Sequence, residues 1–148
     1  MGSEAEHKTS WKSKSTFTQK PWGSEIQWHA IGSVDGKCLK IKKGSRTSLK
    51  YYSLKDEVLF VYSGKILVIH GDELTIERPA THPYRESVLS PGEVVNIQSG
   101  CPYRIEAIED SEVIEIGSRG GAIVPVMIED DYDRVGNTPE IKTSIEEK

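Results

Sequence analysis

Between Trp22 and Ile128 the apolar residues do not fall at helical spacing. They come in short runs of Val, Ile, Leu and Tyr, and each run stops at a turn signal: "VDG" at 34–36, "KKG" at 42–44, "SG" at 63–64, "HGD" at 70–72, "SPG" at 90–92, "SG" at 99–100 and "RGG" at 119–121. Glycine or proline after a short β-branched run ends a strand and opens a turn. This punctuation predicts about ten short strands, which is the pattern of a sandwich or barrel. No amphipathic helix competes with it. The chain is therefore expected to be all-β, and its 148 residues suffice for one domain with a real core but hardly for two.

The ends read differently. Residues 1–20 are rich in Ser, Thr and Lys without periodicity and are expected to form a flexible N-terminal arm; 136–148 reads as a polar C-terminal tail, leaving 21–135 as the folded domain. The stretch "ERPATHPYRESV" (77–88) holds two prolines and little apolar pattern, so it is expected to be a protruding hairpin loop. In "EVLFVYSGKILVIHGDE" both strand parities are apolar: Leu59 and Val61 on one, Val58, Phe60 and Tyr62 on the other. A strand apolar on both faces needs cover on both. A small barrel supplies only the inner cover, so a homodimer is expected, unless the arm covers the outer face through Trp11 or Phe17.

Composition excludes some roles. The net charge of −4 lacks the basic excess of a general nucleic-acid binder. No apolar stretch is long enough to span a bilayer, and the N-terminal "MGSEAEHKTSWKSKS" has no apolar region of a secretory signal. Cys38 and Cys101 make neither a disulfide framework nor a zinc spacing, so a reducing, cytoplasmic setting is expected.

One stretch carries chemistry. "GSRTSLKYYSLKDEVLFVYSG" places Gly44, Lys50, Tyr52, Glu57 and Gly64 at fixed intervals. Downstream, "PGEVVNIQSGCPYRIEA" places Gly92, Gly100 and Tyr103. The two spacings resemble the two motifs of the cupin family, which read glycine, H-x-H, glutamate and glycine, then a third histidine after a glycine turn. "KPWGSEIQW" (20–28), "RTSLKYYSLKDE" and "IEDDYDR" (128–134) further resemble the type II mannose-6-phosphate isomerase cupin domain, also found fused to mannose-1-phosphate guanylyltransferase. The similarity runs over about residues 20–135. It implies a double-stranded β-helix, the jelly-roll barrel, as a single domain. It also implies a divalent metal held by three histidines and the glutamate, and interconversion of mannose 6-phosphate and fructose 6-phosphate.

Here Lys50, Tyr52 and Tyr103 occupy the three histidine positions, and only Glu57 remains. A transition-metal site of this kind needs neutral imidazoles converging with a carboxylate. A protonated lysine offers no lone pair, and its charge repels a cation. No tightly bound metal and no other cofactor is expected, which leaves room only for a weakly held divalent ion. His7, His29, His70 and His82 lie where ordinary surface histidines lie, and "EDDYD" lacks the ligand spacing of an EF-hand, reading instead as a solvated edge.

On a strand, Lys50 and Tyr52 point the same way, inward toward Glu57 and Tyr103 if the resemblance holds. These four are the candidate catalytic residues. Lys50 would replace the metal's charge, Glu57 would act as base or as the lysine's partner, and the tyrosines would donate hydrogen bonds. Arg46 is a weaker candidate for an anionic ligand at the rim, and Cys101 a weak one beside Tyr103. Arg104, next to Tyr103, is expected outside on the surface. The reading is a metal-independent cupin that binds or isomerises a sugar or sugar phosphate. The alternative is a non-catalytic binding or regulatory module whose old metal site is closed by a Lys50–Glu57 pair.

Overall fold

Alternation decides the architecture. In the strand Glu57–Ser63, Glu57, Leu59 and Val61 are buried while Val58 and Tyr62 are exposed. Side chains at successive strand positions face opposite ways, so such a strand has one face on a core and one on solvent. The computed structural model describes residues 7–28, 32, 34–118 and 125–132, and the backbone of 142–144. Among these, no residue is helical and every regular element is a strand.

The strands in chain order are β1 (Thr16–Lys20), β2 (Gly23–Gln27), β3 (Val34–Ile41), β4 (Leu49–Tyr51), β5 (Glu57–Ser63), β6 (Ile66–His70), β7 (Arg85–Leu89), β8 (Val94–Ile97), β9 (Tyr103–Ala107), β10 (Ser111–Ser118), β11 (Val126–Glu129) and β12 (Lys142–Ser144). They form two antiparallel sheets. One has the order β12-β1-β2-β3-β10-β5-β8, the other β11-β4-β9-β6-β7. Chain neighbours such as β4 and β5 lie in different sheets, so the connections cross between layers as in a jelly roll.

The space between the sheets has two ends of different chemistry. One end is apolar: Leu39, Ile41, Leu59, Val61, Ile66, Val68, Ile105 and Val113 form one buried cluster. Each such side chain contributes about 1.5–3 kcal/mol by leaving water. Towards the other end the same inward parity turns charged. On β3 the inward series runs Ile41, Leu39, Lys37, Asp35, and on β10 it runs Ser111, Val113, Glu115, Gly117. The pairings Glu115–Lys37, Gly117–Asp35 and Gly117–Glu57 bring these positions side by side.

Several expectations need correction. The segment read as a loose arm supplies β1, whose residues Thr16–Lys20 pair with β2 and with the backbone of β12 in the segment read as a tail. Pairing with a sheet edge needs only backbone groups, and polar side chains tolerate an edge position. The 77–88 stretch is not all loop, because β7 begins at Arg85 and pairs with β6. Arg104 is buried rather than on the surface. It does face out of its sheet, but the segment after β11 covers it. Its Nε donates to the Thr47 carbonyl at 3.0 Å, and its guanidinium meets Glu129 at 3.5 Å and Asp131 at 3.4 Å. The acidic stretch read as a solvated edge is thus a clamp on two arginines, since Arg46 also pairs with Asp131. His29 lies outside the described residues. Among the described residues no helix is long and apolar enough to cross a membrane.

Candidate functional site

The charged end of the barrel is built from strand parity alone. Tyr103 starts β9 and pairs with Lys50 of β4. Glu57 starts β5, directly across the barrel. The Tyr103 hydroxyl donates to Glu57 Oε1 at 2.5 Å, and both side chains are buried. Glu57 also faces Glu115 of β10, and the two carboxyls act on each other directly. Two buried carboxylates can share a hydrogen bond only if one carries a proton. Oε2 of Glu57 and Oε2 of Glu115 accept no hydrogen bond from a donor group, although Lys55 and Lys37 lie 3.4 and 3.9 Å from them. A single proton held between the two carboxyls accounts for both orphaned oxygens.

The environment says which carboxyl holds it. Burial, then the charge of Glu115 and the bond to it, push Glu57 up to about 8. Burial also acts against ionised Glu115, but Lys37, the bond from Glu57, Lys50 and Lys55 together hold it down to about 2. The pair is therefore neutral Glu57 donating to ionised Glu115 at neutral pH. Burial also raises the Tyr103 and Tyr52 phenols, which stay protonated as donors.

The cation beside Glu57 is not the one expected. Among the described residues Lys50 makes no ion pair; its ammonium lies over the Tyr103 ring, 4.7 Å from the centroid. The expected Lys50–Glu57 pair is absent, and Lys55 takes its place. From the turn before β5, Lys55 reaches Asp35 at 3.2 Å and Glu57 Oε2 at 3.4 Å, and lies 4.8 Å over the Tyr52 ring. Gly117 makes this reach feasible. A Cβ there would sit 2.3 Å from the Lys55 Cε. Lys37 closes the far side, 3.2 Å from Glu25 and 3.9 Å from Glu115.

Four of the sequence-derived candidates therefore gather here: Tyr103 and Glu57 in direct contact, Lys50 on the Tyr103 ring and Tyr52 under Lys55. The two others do not join them. Arg46 already has an anion, since its Nε and Nη2 grip Asp131 at 2.6 and 3.0 Å. Cys101 packs against the apolar cluster, and burial raises its thiol, as for a packing group. Lys55, Asp35, Lys37, Glu115 and Glu25 were missed. The signal for Asp35, Lys37 and Glu115 was present in the inward parity of "VDGKCLKI" and "SEVIEIGS", where charged residues stand in register with core positions.

A hollow of about 450 Å³ lies at the ends of the same strands. Outward-facing Val34, Val58, Asn96 and Ile116 line it together with Glu57, Ile97 and Gly117, although the Glu57 side chain is only 1% exposed. The hollow thus adjoins the charged cluster at Glu57 and Gly117.

Comparison with known families and with characterised proteins found no match in sequence. Solved structures do match in shape. KdgF from Halomonas sp. superposes with a TM-score of 0.57 at 20% identity, over 78% of this chain and 88% of that one. Oxalate decarboxylase from Bacillus subtilis gives 0.61 at 13% identity, over 81% of this chain. CapF gives 0.57 at 19% identity, over 72% of this chain. The fold is a cupin barrel. This cupin barrel spans only 34% of the oxalate decarboxylase chain and 30% of CapF.

The divalent metal implied by the sequence resemblance does not fit this barrel. Among the described residues no three His, Cys, Asp or Glu side chains converge as they would on an ion. The histidine positions hold an ammonium and two protonated phenols. The surviving glutamate keeps its proton and binds Tyr103 and Glu115. Ammonium groups fill the space where a cation would otherwise be held by carboxylates.

Proposed function

We propose that this cupin barrel is a metal-independent protein of carbohydrate metabolism that binds a sugar or sugar phosphate at the charged end and isomerises it by proton transfer. The observation that supports this reading is the Glu57–Glu115 pair. A carboxyl held near neutrality, beside an ionised partner and a phenol donor, can both give and take a proton at working pH. Aldose–ketose interconversion needs such a group to move a proton between adjacent carbons, and a cation to draw charge onto the carbonyl oxygen. Glu57 would move the proton, Tyr103 and Tyr52 would donate to hydroxyls, and Lys50 would polarise the carbonyl. A reducing, cytoplasmic setting belongs to this reading, supported by free Cys38 and Cys101.

The test is exchange in deuterated water. The chain is incubated with mannose 6-phosphate or fructose 6-phosphate and a chelator, and deuterium at C2 is followed by NMR. Exchange that survives the chelator and disappears in Glu57→Gln supports the reading. No exchange with either sugar phosphate would sink it.

The burial of Glu57 favours a second reading, a non-catalytic module. Lys55 fills the space above Glu57, and ion pairs from the chain itself satisfy Asp35 and Glu25. A closed module would bind no sugar phosphate, and its melting temperature would not move when one is added.

A further inference from the structure

We infer that Lys50 is a carbonyl-reactive amine that forms an imine with a small aldehyde or ketone at the mouth of the barrel. This rests on the mouth being a small-molecule site, and it goes further by naming covalent chemistry at one atom. Lys37 and Lys55 are anchored to carboxylates at 3.2 Å each, but Lys50, among the described residues, is held only by the Tyr103 ring. An amine without a carboxylate partner has no ion pair to break before it reacts. Lys50 is also partly exposed, whereas Glu57 and Tyr103 behind it are buried.

The neighbours supply what an imine needs. Desolvation lowers the Lys50 ammonium and so does the adjacent charge of Lys37, against the pull of Glu115 and Glu57. A lysine whose ammonium is disfavoured by burial and a neighbouring cation gives up its proton more readily and is the better nucleophile. The ring face of Tyr103 favours the ammonium, but the balance of these effects is downward. The Tyr103 hydroxyl leads to Glu57, the one protonated carboxyl in the cluster.

The step balances without an oxidant or reductant. The Lys50 nitrogen adds to the carbonyl carbon, and the π pair moves to oxygen, which takes the Glu57 proton. The nitrogen returns a proton to Glu57. Glu57 then protonates the new hydroxyl, which leaves as water while the nitrogen lone pair closes the C=N bond. The product is an iminium beside the Glu57 carboxylate.

The experiment treats the full chain at pH 7 with dihydroxyacetone and cyanoborohydride, and locates reduced adducts by peptide mass spectrometry. Exposed Lys42 and Lys43 are internal controls. A lowered lysine pKa means more free amine at a given pH, so Lys50 should label several times faster than either control. Lys50→Arg keeps the charge and should lose this fast site alone. Labelling of Lys50 at the control rate, or fast labelling at Lys37 or Lys55 instead, overturns the inference. Sugar-phosphate exchange without an adduct at Lys50 overturns only the imine, whereas loss of both overturns the small-molecule site itself.

Discussion

Glu57 and Glu115 lean on stability in opposite directions. Glu57 releases its proton near 4.5 when unfolded and near 8 when folded. Its contribution is complete below pH 4.5 and is lost as the pH rises through about 8. Glu115 is depressed from 4.5 to about 2, so its contribution is complete above 4.5 and is lost as the pH falls towards 2. Together they place their stability maximum near pH 4.5, on the acid side of neutrality. Glu57→Gln keeps a neutral group that can donate to Glu115 and accept from Tyr103. Urea titrations should find it close to the parent at pH 4.5 and more stable at pH 8, by ~2 kcal/mol or more. A variant that still weakens between those pH values would place the titrating group elsewhere. Lys55 gives a second prediction. Lys55→Met strands buried Asp35 without its cation and should cost about 3–5 kcal/mol. Adding Asp35→Asn should restore most of that loss, while adding it to Lys50→Met should restore nothing. The cycle is read from denaturation midpoints.

The strand count, the turns and the inward direction of Glu57 and Tyr103 follow from period-two alternation and glycine punctuation, which are local signals. Gly64 shows how firmly such punctuation is fixed. It ends β5 at φ +86°, and a Cβ there would sit 2.3 Å from the Ser111 Oγ and 2.4 Å from the Asp110 carbonyl. Gly64→Ala should therefore cost on the order of 2 kcal/mol or more, seen as a lowered melting temperature. Gly92→Ala, equally left-handed but with open space around it, should cost less. What the sequence did not reveal is pairing between distant segments. Lys50 and Lys55 are equally plausible cations for Glu57 along the chain; only the path of the turn and the bare Cα of Gly117 favour Lys55. Arg104 was misplaced for a related reason. Alternation gives the face, but the cover on that face comes from Glu129 and Asp131, and no local pattern announces a segment folding back across a sheet.

At the scale of the molecule, the outer face of the larger sheet is the open question that alternation raised. Val58 and Ile116 are exposed beside Val34 and Val94, and Tyr62 is 64% exposed on the same strand. The described part of the arm leaves this apolar face open, since β1 lies at the far side of the sheet from β5 and β8 and Trp11 is itself exposed. We propose that a second copy covers it. Light scattering at micromolar concentration should give the mass of two chains, and Val58→Lys with Ile116→Lys should give one, with the circular dichroism unchanged. A parent that is monomeric at that concentration counts against the dimer. The division of the barrel interior into an oily floor and a charged mouth bears on temperature. Burying fewer apolar groups lowers the heat-capacity change of unfolding and flattens the stability curve. The penalty for stripping water from ions also shrinks on heating. The mouth should therefore weaken the fold less in hot solution than in cold, and a barrel built this way would give up comparatively little stability on warming.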